Sequence, residues 1–148
     1  FFMNNKGTVV SINTSETKGV VKTPLEEGLF VKDHGLSGDA HAGKWHRQVS
    51  LLADESINKL RNRGIDDLSS GCFAENITSR GIELYSLAIG TQFRIGETIQ
   101  EVTQIGKECH HGCAIKQKIG DCVMPREGIF TKVIKEGIVR TGDLIEVL

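Results

Sequence analysis

The chain has 148 residues, 39% hydrophobic and 25% charged, with a formal net charge of -1 at pH 7. That length suits one domain with a real core rather than two. Near-neutrality without runs of like charge excludes a nucleic-acid or acidic-membrane footprint, and no apolar run reaches the roughly 20 residues of a spanning helix. Phe1 and Phe2 precede Met3, the expected native start, so 3–148 is read as a single domain. No basic-plus-apolar leader is seen, which argues for a cytoplasmic chain whose cysteines, at 72, 109, 113 and 122, stay reduced.

The β-branched run Thr8–Ile12 predicts a strand. Residues 13–28 are polar and read as a long loop, broken by a short strand over Gly19–Lys22; another short strand is expected over Gly28–Val31. Gly35–Gly43, with three glycines, reads as a loop. Gln48–Leu52 resumes strand character. Asp54 fits a helix N-cap, Ile57 and Leu60 have i, i+3 spacing, and Gly64 stops the run, so an amphipathic helix is expected from about Asp54 to Arg63. Asp66–Gly71 reads as a loop and Phe73–Thr78 leads into a strand. Thr91–Ile95 and Thr98–Ile105 form a hairpin about Gly96-Glu97. Cys113–Lys118 reads as a short helix, and Pro125 as the end of regular structure before it. Gly128–Lys135 alternates as a half-buried strand, Glu136-Gly137 turns, and Leu144–Leu148 alternates again. Many short strands, 17 glycines and one convincing helix predict a mainly β barrel with a few helices.

The chemistry is densest at Ile105-Gly106-Lys107-Glu108-Cys109-His110-His111-Gly112-Cys113. Two thiols, two imidazoles and a lysine follow the end of a predicted strand. Lys107 or a protonated His110 or His111 lowers a neighbouring thiol's pKa and makes it a nucleophile or a soft-metal ligand. The flanking glycines let backbone approach a ligand closely. Cys72 and Cys122 read as structural. Cys109, Cys113 and Cys122 with a histidine form a competing zinc set, though their spacing is not a firm zinc pattern.

Gly38-Asp39-Ala40-His41-Ala42-Gly43 followed by Arg47-Gln48-Val49-Ser50-Leu51 resembles the opening signature of the MOSC domain, the C-terminal domain of molybdenum cofactor sulfurases. Gly71-Cys72-Phe73-Ala74-Glu75-Asn76-Ile77, Leu87-Ala88-Ile89-Gly90-Thr91 with Arg94-Ile95-Gly96, Gly106-Lys107-Glu108-Cys109, and Gly128-Ile129-Phe130 with Gly142-Asp143 resemble its later signatures, in order. Ala74 stands where the family often has glycine. The sequence after Cys109 departs from the commoner aromatic and Lys-Leu pattern, which keeps both Cys109 and Cys113 as candidates for the functional thiol.

The resemblance implies a MOSC-type β-barrel and a role around the molybdenum cofactor (Mo-molybdopterin), bound transiently or permanently. It makes Cys109 a sulfur carrier, as a persulfide, or a direct Mo ligand. Cys113 reads as a resolving thiol or an inner helix residue. Asp39 and His41 read either as turn chemistry or as pterin or anion contacts. Arg47 reads as a carboxylate partner or a phosphate grip. Phe73, Glu75 and Asn76 read as pterin contacts or as a fixed tight turn. Three functions follow: sulfur handling in cofactor sulfuration; a small Mo-dependent reductase of N-hydroxylated compounds; or a non-enzymatic zinc- or oxyanion-binding module. The expected partners are a cofactor desulfurase or a molybdoenzyme. Pyridoxal phosphate is not expected on this chain, because the family's sulfurases hold it in a separate domain.

Overall fold

A computed structural model describes residues 5–108 and 123–148. Cys109, His110, His111, Cys113 and Cys122, and the helix expected over 113–118, lie outside the described residues. The strands are β1 (Lys6–Thr14), β2 (Thr23–Leu25), β3 (Glu27–Val31), β4 (Gly35–Leu36), β5 (Val49–Ala53), β6 (Ile77–Arg80), β7 (Gln92–Ile95), β8 (Thr98–Ile105), β9 (Ile129–Lys135), β10 (Gly137–Arg140) and β11 (Leu144–Val147). The helices are α1 (Asp54–Arg61) and α2 (Met124–Glu127), with a 3-10 turn at Leu84–Ser86.

Seven strands close a barrel in the order β11-β7-β8-β9-β5-β6-β1, with β11 pairing back onto β1 and β2 added to β1 from outside. The expectation of a mainly β barrel holds. A second sheet, β10-β3-β4, supplies Phe30 and Val139, both fully buried, to the barrel core. The barrel interior is aliphatic: Val9, Ile12, Leu51, Ile77, Ile95, Val102 and Ile129 meet Phe93 there.

A smaller core lies outside the barrel wall, where Leu52, Ile57, Leu60, Phe73, Met124 and Phe130 pack together. It explains β5, whose five residues are all buried. One face of that strand meets the barrel interior and the other meets α1, so both faces are buried, as for strands covered on two sides. β5 and β6 are parallel, with α1 in the crossover between them.

Three local expectations are corrected. Asp54 is not the cap of α1: Ala53 holds that position without a side-chain hydrogen bond, and Asp54 lies in the first turn. Its carboxylate binds Arg61 Nη1 at 3.0 Å and Arg80 Nη2 at 3.3 Å, and a negative charge there still complements the helix dipole. Pro125 does not end regular structure but sits in the first turn of α2, where its missing N–H costs nothing. The strand expected over Gly19–Lys22 falls instead at Thr23–Leu25, because Lys22 is drawn inward.

Candidate functional site: the Asp39 loop and the end of β8

Asp39 follows Leu36 through a tight turn, Asp39 N–H donating to the Leu36 carbonyl at 3.1 Å. Gly38 (φ +85°) makes the turn possible. The carboxylate is then enclosed by donors. Oδ1 accepts from Lys22 Nζ at 2.8 Å, Ser15 N–H at 3.1 Å and Thr14 Oγ1 at 3.2 Å, and Oδ2 accepts from His41 N–H at 3.0 Å. The Lys22 and Asp39 side chains are both fully buried, whereas the His41 ring is 21% exposed. Burial alone would raise the Asp39 carboxyl. The Lys22 ammonium and the His41 backbone N–H outweigh it and hold the group far below the usual carboxylate range.

Residues 41–47 carry this cluster toward β8. The His41 carbonyl accepts from Trp45 Nε1 at 2.7 Å, and Trp45 meets His46 edge-on with ring centroids 5.9 Å apart. Lys18 Nζ sits 4.9 Å from the centre of the Trp45 ring. His46 Nε2 and Arg47 Nε both reach Gln104 Oε1, at 2.9 and 3.0 Å, and the Arg47 guanidinium lies over the Phe130 ring at 5.1 Å. Gln104 Nε2 in turn donates to the Gly106 carbonyl at 2.7 Å. Gly106 has φ +69°, and a Cβ there would stand 2.4 Å from the Pro125 carbonyl oxygen, so only glycine lets the chain leave the barrel along this path. Half-buried Lys107 donates its N–H to the same carbonyl at 3.2 Å. The Asp39 loop is thus tied to the backbone three residues before Cys109.

The second motif faces inward. Phe73, Glu75 and Asn76 are all buried. Glu75 accepts from Phe73 N–H at 3.1 Å and Thr78 Oγ1 at 2.7 Å, and burial pushes its carboxyl up against those bonds. Asn76 Oδ1 accepts from Ser50 N–H at 3.0 Å, and its Nδ2 donates to the Asn13 carbonyl at 3.2 Å. The Glu75 side chain ties the turn to itself and to β6, and the Asn76 side chain holds it against β1 and β5. Ala74 adopts φ +63°, a left-handed conformation that ordinarily favours glycine.

A family model for the MOSC domain matches residues 38–146. The chain belongs to the MOSC domain family. The YflK protein of Bacillus subtilis is 25% identical over 140 residues, covering 88% of this chain and 63% of its own length. The barrel superposes on the crystal structure of YuaD from Bacillus subtilis with a TM-score of 0.80 at 21% identity, covering 96% of this chain and 95% of that one. The YiiM structures from Geobacillus stearothermophilus and Escherichia coli follow, with TM-scores of 0.73 and 0.70 and 19% identity each. They cover 96% and 97% of this chain against 75% and 69% of their own. The MOSC family is associated with molybdenum cofactor binding and sulfur handling, and among the described residues no helix is long and apolar enough to cross a membrane.

Within the MOSC match, Asp39, His41 and Arg47 share one loop joined to β8, while Phe73, Glu75 and Asn76 line the interior. Lys22, not among the site residues expected from the sequence, lies upstream of the matched segment. No local pattern reveals it, since lysine in a polar loop ordinarily reads as solvated. Among the described residues no cluster of three His, Cys, Asp or Glu could hold a metal ion. The loop's outward groups suit a planar, anionic guest instead: a part-exposed imidazole, a half-buried guanidinium, an indole and Lys18.

Proposed function

We propose that this MOSC protein binds the molybdenum cofactor or its precursor and handles sulfur through a persulfide on Cys109. The observation that carries the reading is the link from His41 through Trp45, His46 and Gln104 to Gly106. It sets cationic and aromatic groups beside the chain that leads into Cys109. Arg47 holds the cofactor's phosphate through its planar fork. His41 and the indole of Trp45 would contact the pterin, and Asp39 keeps the loop in shape from beneath. When bound, the cofactor supplies the molybdenum centre for which the sulfur is destined.

On the chain itself, the Cys109 thiolate attacks the outer sulfur of a desulfurase-bound persulfide. One S–S bond forms as another breaks, and the donor cysteine leaves as a thiolate. Lys107 favours the thiolate through its charge, and His110 or His111 takes up and returns the proton. Cys113 serves as the resolving thiol. The supplier is a cytoplasmic desulfurase and the recipient a molybdoenzyme.

The test compares wild type with Cys109→Ser, both made in a strain that synthesises the cofactor, by intact mass and metal analysis. Wild type is expected to carry cyanide-labile sulfur that the variant lacks. Retention of every added mass and all bound molybdenum by the variant would remove Cys109 from its role. Near-equimolar molybdenum and pterin surviving purification would instead favour a resident cofactor and a reductase, with Cys109 as ligand. Tightly held zinc would favour the binding module.

A further inference from the structure

Lys22 is the largest fully buried polar side chain described, and the cofactor reading above does not require it. Its Nζ has three neighbours within hydrogen-bond reach: Asp39 Oδ1 at 2.8 Å, Ser15 Oγ at 2.9 Å and His41 Nδ1 at 3.1 Å. An ammonium has three N–H donors and no lone pair, so each neighbour must accept. Asp39 does so as a carboxylate. Ser15 Oγ uses its one hydrogen on the Thr17 carbonyl at 2.8 Å, so it too accepts from Lys22. The third N–H is left for His41 Nδ1.

A proton on Nδ1 would set N–H against N–H at 3.1 Å, next to a full positive charge. Asp39 offers that proton no alternative: its Oδ2 lies 3.8 Å from Nδ1, beyond hydrogen-bond range, and is taken by the His41 backbone N–H. The ring proton must therefore sit on Nε2. The ring is also held along the chain, by its residue's N–H on Asp39 and its carbonyl under Trp45. Among the described residues nothing hydrogen-bonds Nε2, and of Lys22, Asp39 and His41 only the His41 ring is part-exposed.

We propose that buried Lys22 is a positioning residue that locks His41 as the Nε2–H tautomer. The MOSC loop then offers a fixed hydrogen-bond donor to an anionic oxygen, and His41 acts as neither metal ligand nor general base. The part about the guest rests on the cofactor reading; the tautomer does not. A bare Nε2 would recruit a metal or a proton, whereas Nε2–H selects oxygen acceptors such as phosphate or oxo groups. Lys22 acts through His41 and need not touch the guest.

The first arm uses the protein without cofactor. Histidine labelled with 15N reports which ring nitrogen carries hydrogen. The chain has five histidines, and the His41 signals are those lost in His41→Gln. The expected result at neutral pH is a protonated Nε2, a bare Nδ1, and a coupling between Nδ1 and Lys22 Nζ when both are labelled. In Lys22→Met the Nδ1 signal should move and the two tautomers should mix. A proton on Nδ1, an imidazolium, or an Nδ1 signal indifferent to Lys22→Met overturns the proposal. If Lys22→Met does not fold, the wild-type coupling decides, its absence overturning the lock. The second arm measures pterin retained on purified protein. His41→Gln keeps an N–H near the Nε2 position and should retain most of it, while His41→Asn should retain about tenfold less, the effect of one lost charge-assisted bond. Equal loss in both variants overturns the donor role. No pterin on wild type, with the tautomer confirmed, fells the cofactor reading and leaves the lock standing.

Discussion

Asp39 and Glu75 are both buried carboxylates in turns that follow a glycine, and the protein treats them in opposite ways. Asp39 meets a buried ammonium at 2.8 Å and is held far into the acid range. Its cluster opens to the surface through the part-exposed His41 ring. Glu75 is bonded by a backbone N–H and a hydroxyl, both neutral, and burial raises its carboxyl. Its neighbours Asn13, Ser50, Asn76 and Thr78 close the turn completely inside the protein. A counter-charge, more than the motif, decides whether a buried acid is pulled down in a charged node, as at Asp39, or pushed up in a structural knot held by neutral donors, as at Glu75. The charged node borders the candidate site, and the knot keeps β1, β5 and β6 in place.

The largest test removes the counter-charge. Lys22→Met leaves the Asp39 carboxylate buried without its cation, which should cost about 3–5 kcal/mol in urea unfolding. That is a large part of a domain's total of about 5–15 kcal/mol. Adding Asp39→Asn should restore part of the loss. In the knot, Thr78→Val removes a neutral donor to Glu75 and should cost only about 1–2 kcal/mol, because no buried ion pair is broken. A larger loss from Thr78→Val than from Lys22→Met would reverse the contrast.

The two regions are joined at Gly71. Lys22 N–H donates to the Gly71 carbonyl at 2.9 Å. Gly71 has φ +86°, and a Cβ there would lie 2.4 Å from the Lys22 carbonyl oxygen. Gly71→Ala should therefore cost about 2–3 kcal/mol, combining left-handed strain with a backbone clash. It should also disturb the His41 ring signals, while Gly90→Ala, at φ +92° with open space around it, should give strain alone.

The contrast also sets the slope of stability with pH. The folded Asp39 has a lowered pKa, so its contribution is complete above the unfolded value of about 3.9 and is lost as pH falls below it. The folded Glu75 has a raised pKa, so its contribution is present below about 4.3 and is lost as pH rises through the folded value. Asp39→Asn should flatten the acid side of the profile, and Glu75→Gln the decline above it. Urea midpoints across pH 3–8, taken for both variants, would show equal slopes if the two carboxyls were alike.

Much of this was legible where one face of an element stays wet. Thr98–Ile105 was expected as a strand and is β8 residue for residue, and the Gly96-Glu97 hairpin stands where expected. Buried polar groups were illegible, because residue type does not report a partner far along the chain. Lys22 is fixed by an aspartate seventeen residues on and a carbonyl at Gly71. β10 was hidden because Gly137 reads as a turn, yet here it starts a strand paired with Phe30. Of the site, the glycine-rich motif led to Asp39, His41 and Arg47, which share a loop. The same kind of reasoning could not tell that the Glu75 and Asn76 side chains bond the interior.

The smallest effect probes the knot's edge. Ser79 follows Thr78 on β6, is fully buried, and its hydroxyl has no hydrogen-bond partner among the described residues. Every other polar side chain named in the knot is bonded, so this hydroxyl carries a desolvation cost that nothing described offsets. Ser79→Ala keeps the backbone pairing with Val9 and Ala53 and should stabilise the protein by about 1 kcal/mol. A gain of that size means the knot ends at Thr78 and tolerates an apolar border. A loss of equal size would mean that the Ser79 hydroxyl is bonded, and that the closed network reaches one residue further along β6 toward Arg80.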